Sequence, residues 1–259
     1  MKLSMLYATY EDRFNSLLDK IPEAHPDTEI IIIHQTYTPD NYLEDVKKFD
    51  ARPDIKYISQ SNTGVTKSRN LAIENSTGDI LLFCDDDVIY EDNFQKTIIN
   101  SFMNNNVGFI TFAYKHTSDS LWPEKFSSIK YNHSLYTILS VGTIQIACLK
   151  KYVLEFNIKF PEDMGAGSNY FLCDEPVFLS QFIKNKISGI YEPYVICLHP
   201  EESSGDIFND FNAFYSRYLC FTRIFGKFNG RFIYLAYIMK NLKKFNSIKN
   251  FFISLKALI

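Results

Sequence analysis

Three adjacent carboxylates, Asp85-Asp86-Asp87, close the hydrophobic run Ile80-Leu-Leu-Phe-Cys84. Side by side at the end of a buried segment they repel one another, and a cation or hydrogen-bond donors must offset that repulsion. Their ligand atoms are hard oxygens, which suit Mg2+ or Mn2+, ions that usually share their coordination shell with substrate phosphates. The plain alternative for such a triplet is a solvated acidic turn.

The surrounding pattern decides where the triplet sits. Residues 2–8, 29–34, 55–59, 80–84 and 107–114 read as strands, and 29–34 (EIIIIH) has the β-branched continuity of a strand buried on both faces. Between them, residues 11–21 (closed by Pro22), 40–49, 66–75 (followed by a Gly78 turn) and 93–103 read as helices. Strands alternating with helices predict an α/β fold with a mostly parallel sheet and helices on both faces. The reactive edge of such a sheet is the carboxyl end of its strands. Three polar clusters fall there, at residues 9–13, 34–36 and 85–87.

After Lys115 the pattern loosens, and residues 116–140 are expected to be a partly ordered loop region in which Trp122 is either an acceptor-stacking platform or a packing residue. Residues 142–150 are expected as a strand, 165–168 as a loop, 175–185 as a helix, and 194–198 as a last strand ending at His199-Pro200. From Phe211 onward, aromatic and basic residues interleave at helical spacing.

A chain of 259 residues with 46% hydrophobic side chains accommodates one large α/β domain with a short appendage. Its formal net charge of −3 hides an asymmetry: residues 1–210 hold 18 of the 27 Lys/Arg and all 30 Asp/Glu, a net of −12, while residues 211–259 hold the other 9 Lys/Arg and no acid. A basic, aromatic segment on an acidic body suggests an anionic partner for that segment. The five cysteines are widely spaced, without a CxxC or Cys/His cluster, and are expected as buried free thiols in a reducing compartment. The first residues lack a signal-peptide run, and the apolar stretch 232–239 is far shorter than the about 20 residues that span a bilayer.

The run Asn62-Thr-Gly64-Val-Thr-Lys67-Ser-Arg69-Asn70, then a helix, then Gly78-Asp-Ile-Leu-Leu-Phe-Cys-Asp85-Asp86-Asp87, resembles the family 2 glycosyltransferases of GT-A fold, with Ser68 in place of the usual Ala. Thr9-Tyr10 with Arg13 is similar to that family's first strand end. Gly165-Ala-Gly-Ser leading to Asp174-Glu175 resembles its glycine-rich loop and acidic pair, and His199 matches its late metal-ligand histidine. The resemblance covers about residues 1–205 and implies a Rossmann-like three-layer GT-A domain over residues 1–210, with residues 1–115 as the nucleotide-sugar half and 116–210 as the acceptor half. Residues 211–259 then form a helical basic extension.

The resemblance further implies an inverting transfer from a nucleotide-diphosphate sugar, with UDP as the leading base, to a saccharide or lipid-linked saccharide hydroxyl in surface-glycan synthesis. Asp87, His199 and Asp85 would hold Mn2+ or Mg2+. Thr9, Tyr10, Arg13, Gln35, Asn62, Gly64, Lys67, Arg69, Asp85 and Asp86 would line the donor site, and Glu175, or else Asp174, would deprotonate the acceptor. Two departures stand out: Gln35 where the family places an Asp against the base, and the order Asp174-Glu175 where the family has Glu-Asp. The competing readings are a non-catalytic sugar-nucleotide-binding protein and a nucleotidyltransferase, the latter disfavoured because residues 8–13 contain no glycine. The basic tail is expected either to lie on an anionic membrane, giving a cytoplasmic enzyme peripheral to the inner face, or to pack on the body. No nucleic-acid partner is expected.

Overall fold

The computed structural model describes residues 1–116, 122–200 and 207–258. The first half runs β1 (Leu3–Tyr10), α1 (Arg13–Leu18), β2 (Thr28–Gln35), α2 (Leu43–Val46), β3 (Ile55–Gln60), α3 (Val65–Asn75), β4 (Ile80–Cys84), β5 (Ile89–Tyr90), α4 (Phe94–Asn104) and β6 (Phe109–His116). The second half runs β7 (Tyr131–Asn132), β8 (Ile146–Leu149), α5 (Lys150–Glu155), α6 (Asp174–Lys184), β9 (Gly189–His199), α7 (Phe211–Phe225), α8 (Lys227–Lys240) and α9 (Ile248–Lys256).

Among the described residues the strands form one sheet in the order β3-β2-β1-β4-β8-β6-β9-β5, with β7 also paired to β9. The long ladders β1·β2, β1·β4, β2·β3 and β6·β9 are parallel, and shorter antiparallel ladders join β8 to β4 and β6. Side-chain alternation builds the layers. Leu3, Met5 and Tyr7 of β1 pack with Phe14, Leu17, Phe94, Ile98 and Phe102 on one face. Leu6 with Ile31 and Ile33 packs against Ala72, Ile73, Phe178 and Phe182 on the other. All eight residues of β2 are buried, as a strand covered on both faces requires.

Register then positions the polar clusters. Tyr10 pairs with Gln35 and Tyr7 with Cys84, so β1, β2 and β4 end side by side with Thr9, Gln35 and Asp85-Asp86-Asp87 on one edge.

Several elements differ from the sequence reading. The helix expected over 11–21 is only Arg13–Leu18, because Glu11 adopts a left-handed φ of 43° and its carboxylate accepts from the Thr36 hydroxyl and the Tyr37 N–H. The helix expected over 40–49 breaks into α2 flanked by 3-10 turns at Pro39–Tyr42 and Lys47–Phe49. The strand expected over 142–150 starts only at Ile146; Thr143–Gln145 is a 3-10 turn, and Lys150 already begins α5. The last strand is longer than expected and passes through Pro193. Its partner β6 shifts register between Phe112 and Tyr114, so the residue without an N–H sits in an irregularity of the ladder. In the irregular stretch 116–140, β7 and a 3-10 turn at Thr137–Ser140 are formed, while 117–121 lie outside the described residues.

The C-terminal segment is helical. Asp210 caps α7 by accepting from the Ala213 N–H at 2.8 Å. Cys220 and Ile224 of α7 pack with Met164 and Val177, joining the tail to the glycine loop and to α6, which begins with Asp174-Glu175.

Candidate active site

Ten of the residues singled out from sequence line one cleft of about 730 Å3: Thr9, Tyr10, Arg13, Gln35, Arg69, Asp85, Asp86, Asp87, Asp174 and Glu175. The structure brings together side chains from the ends of β1, β2 and β4, from α3 and from the first turn of α6.

The three aspartates have different surroundings. Asp86 is buried and accepts from the Thr9 hydroxyl at 2.8 Å and from Arg13 Nε at 2.9 Å, with Arg13 Nη2 also on the same carboxylate. Its charge is therefore matched within the protein, and it ties β4 to the end of β1. Asp85 faces the cleft 3.5 Å from Arg69 Nη2. Burial pushes its carboxyl upward, Arg69 pulls it back, and Asp87, Glu175 and Asp86 add to the upward push. Asp87 holds Arg13 Nη2 at 3.3 Å from Oδ2, while its Oδ1 is buried without a hydrogen-bond partner.

That orphaned oxygen is 3.7 Å from His199 Nε2. The other ring nitrogen, Nδ1, lies 2.5 Å from the Pro200 carbonyl. A carbonyl only accepts, so Nδ1 carries the hydrogen, and in the neutral ring Nε2 offers a lone pair toward Asp87. A carboxylate oxygen and an imidazole nitrogen, each lacking a donor, are a donor set that fits a divalent ion. Among the described residues no three His, Cys, Asp or Glu side chains form a closed metal cage. The chain thus offers a partial shell of the kind that substrate phosphates and water complete.

The opposite acidic pair is organised by Arg69, which α3 presents at 5% exposure. Its Nη1 donates to Asp174 Oδ2 at 2.6 Å and its Nη2 to the Thr143 hydroxyl at 2.7 Å, with the guanidinium 5.3 Å from the Phe160 ring centroid. Thr143 in turn donates to Glu175 Oε1 at 2.5 Å. Arg69 is thus the hub of a buried network that fixes the start of α6. Asp174 is 3% exposed and held by that guanidinium. Burial and the Glu175 charge push its carboxyl up, and Arg69 opposes them. Glu175 keeps more access to the cleft, at 17% side-chain exposure.

The remaining predicted residues sit around this core. The Gly64 N–H donates to Gln35 Oε1 at 2.7 Å, which orients the Gln35 amide and makes its NH2 the available edge. Gly64 has φ of 123° and underlies the cleft wall, where an added Cβ on Gly167 would come within 3.1 Å of its nitrogen. Val65 N donates to the Ala166 carbonyl at 2.9 Å and the Thr66 hydroxyl to the Met164 carbonyl at 2.9 Å, so the glycine loop is bound to the start of α3. Asn62 is exposed, Lys67 is half-buried, and neither lines the cleft. Trp122 donates its indole N–H to the Phe126 carbonyl at 2.9 Å and is likewise not in the cleft wall.

Sequence reasoning missed Thr143. A lone threonine in a segment read as strand carries no signal; its meaning comes from the 3-10 turn that aims it at Arg69 and Glu175. It also gave no role to Asn70. That side chain donates to the Phe160 carbonyl at 3.1 Å and accepts from the Phe160 N–H at 2.9 Å, anchoring the segment before the glycine loop. Its place directly after Arg69 in the motif was the available clue.

The family model described as Glycosyl transferase family 2 matches residues 7–158. Among solved structures, S. aureus TarS 1-349 in complex with UDP-GlcNAc shares the fold at a TM-score of 0.72 and 16% identity, over 100% of this chain and 80% of that one. The longer S. aureus TarS gives a TM-score of 0.68 and 17% identity over 96% of this chain and 45% of that one. The mannosyltransferase PcManGT from Pyrobaculum calidifontis, in complex with GDP-Man and Mn2+, gives 0.63 and 15% over 99% and 74%. At these identities the likeness is one of fold. No curated protein matches the sequence.

Proposed function

Because the chain belongs to glycosyl transferase family 2, we propose that its cleft transfers a sugar, with inversion, from a UDP-sugar to a hydroxyl of a saccharide or lipid-linked saccharide. The observation that carries this reading is that one cleft holds both Asp87, with its unmatched Oδ1 beside His199 Nε2, and Glu175, whose carboxylate Thr143 holds in place.

Asp87 and His199, with Asp85 beside them, are the residues that would hold Mn2+ or Mg2+, in keeping with the Mn2+ in the mannosyltransferase complex. A divalent ion bound there supplies Lewis-acid stabilisation of the diphosphate leaving group. The protein's own groups do the rest. Glu175 takes the proton from the acceptor hydroxyl as its oxygen bonds to the anomeric carbon and the bond to the diphosphate oxygen breaks. Thr143 directs Glu175 Oε1, and the Arg69–Asp174 pair fixes the turn that carries it. A base that activates the acceptor hydroxyl for direct attack is what a single displacement with inversion requires. The NH2 edge of Gln35 suits a base carbonyl, and set against position 4 of a pyrimidine it pairs with the O4 of uracil and opposes the amine that cytosine carries there. UDP-GlcNAc in the TarS complex is consistent with that leaning. Surface-glycan synthesis is the setting that a saccharide or lipid-linked acceptor implies.

The test is release of UDP from candidate UDP-sugars with Mn2+ present. Wild type should turn over the correct donor, slowly onto water and faster onto acceptor. Glu175→Gln should retain donor binding and lose roughly 10²–10⁴-fold in transfer rate. Unchanged transfer in Glu175→Gln would remove Glu175 as the base. Binding without turnover by wild type on any donor would leave a nucleotide-sugar-binding protein.

A further inference from the structure

The helix α8 contributes no residue to the cleft. It buries Gly230, Tyr234 and Ile238, with the Tyr234 hydroxyl donating to the Ser254 carbonyl of α9 at 2.7 Å. On its other side Phe228, Phe232, Leu235 and Met239 recur at i, i+4, i+7 and i+11. All four are exposed, Phe228 at 74% and Phe232 at 58%. At 3.6 residues per turn they form one apolar stripe opposite the buried face. Phe228 and Phe232 meet edge to face at 4.8 Å, so the stripe is a contiguous patch. Leu242, Ile248 and Phe252, beyond α8, are exposed as well.

The charged side chains of the tail have one sign. Lys227, Lys240, Lys243, Lys249 and Lys256 are exposed, and residues 211–259 contain no Asp or Glu. An apolar stripe bordered by lysines fits a surface that is apolar within and anionic at its face. Among the described residues no helix is long and apolar enough to cross a membrane. A second copy of the chain is a poor occupant, because it would set one acid-free basic face against another. The body, with a net charge of −12 over residues 1–210, is repelled by an anionic surface while residues 211–259 are attracted.

We propose that the exposed face of α8 docks this protein on the surface of an anionic lipid bilayer. Phe228, Phe232, Leu235 and Met239 enter the headgroup region while the surrounding lysines meet anionic headgroups. The opposed charges of body and tail hold the body on the water side. This surface is independent of the transfer reaction, since it involves no cleft residue.

Co-sedimentation of the full chain with vesicles tests it without any sugar substrate. The chain should pellet with phosphatidylcholine vesicles containing phosphatidylglycerol, should not pellet with phosphatidylcholine alone, and should be released by added salt. Phe232→Glu should lower the partition at least about tenfold while leaving Tm and UDP affinity unchanged, because the side chain is exposed. Lys240→Glu with Lys243→Glu should lower it by a similar factor and flatten the salt dependence. Absence of binding to anionic vesicles, equal binding to neutral ones, or indifference to both variants would overturn the proposal. So would a wild-type dimer in vesicle-free solution that Phe232→Glu converts to monomer, which would give the stripe to a second copy.

Discussion

At Asp174 a single proton decides whether a buried charge is matched. Arg69 is 5% exposed, and its Nη1 lies 2.6 Å from Asp174 Oδ2. Replacing Asp174 with Asn removes the nearest carboxylate from the buried guanidinium and leaves it Asp85 at 3.5 Å and Glu175 at 3.8 Å, so the expected cost is at most about 3 kcal/mol of stability, read by denaturant unfolding. A loss confined to activity would instead make Asp174 a reacting group. Thr143 is a positioning residue: its hydroxyl accepts from Arg69 and donates to Glu175. Thr143→Val should lower kcat roughly tenfold with UDP affinity unchanged, and Thr143→Ser should restore it. A change in KM for the donor alone would place Thr143 in nucleotide binding. These residues differ in how far the sequence exposed them. Asp85 to Asp87 were legible because three carboxylates ending an apolar run need an explanation wherever they occur. Thr143 was not, since its partners lie 74 and 32 positions away.

At the scale of elements, the parallel core was legible because buried strands and helices alternate with the right periods. What escaped were segments shaped by tertiary contacts. Glu11 leaves α1 to satisfy Thr36 and Tyr37, and β9 continues through Pro193 because its partner shifts register there. The amino ends of the strands carry a second polar knot. Burial by itself would raise the Glu29 carboxyl, but donors from Lys2, Ser4 and Thr77 overcome it and hold the carboxyl at about 2, against an ordinary 4.5. A depressed folded-state value contributes stability that is present above pH 4.5 and is lost as pH falls from there toward 2. Glu29→Gln should be less stable at pH 7 and should lose less stability than wild type on acidification; parallel unfolding curves against pH would contradict this. The glycine loop gives another expectation. Gly165 has φ of 88°, and an added Cβ would lie 2.8 Å from Thr66 Cγ2 and 3.1 Å from Asp174 Cγ. Gly165→Ala should cost about 2 kcal/mol and weaken donor binding by displacing the cleft wall, as thermal unfolding and UDP titration would show.

For the whole molecule, the tail has two faces. Cys220 and Ile224 of α7 pack against Met164 and Val177, beside the glycine loop and α6. Ile224→Ala should therefore destabilise the chain by about 3 kcal/mol and lower activity through the loop, although no tail residue lines the cleft; a variant equally stable and active would mean that the tail folds apart from the site. The outward face of α8 carries the exposed aromatic stripe. The sequence showed the tail's composition, basic and aromatic, but not which rings point inward, because the aromatic positions outnumber one helical face.

The proposed donor site needs a divalent ion at Asp87 to bind a nucleotide. The most direct measurement is calorimetric titration of UDP, with GDP, CDP and dTDP in parallel, into wild type and Asp87→Ala, each with and without Mn2+. UDP should bind to wild type only with Mn2+, more tightly than CDP, and Asp87→Ala should abolish that binding. Binding that ignores Mn2+ and Asp87, or no nucleotide binding at all, would contradict the account.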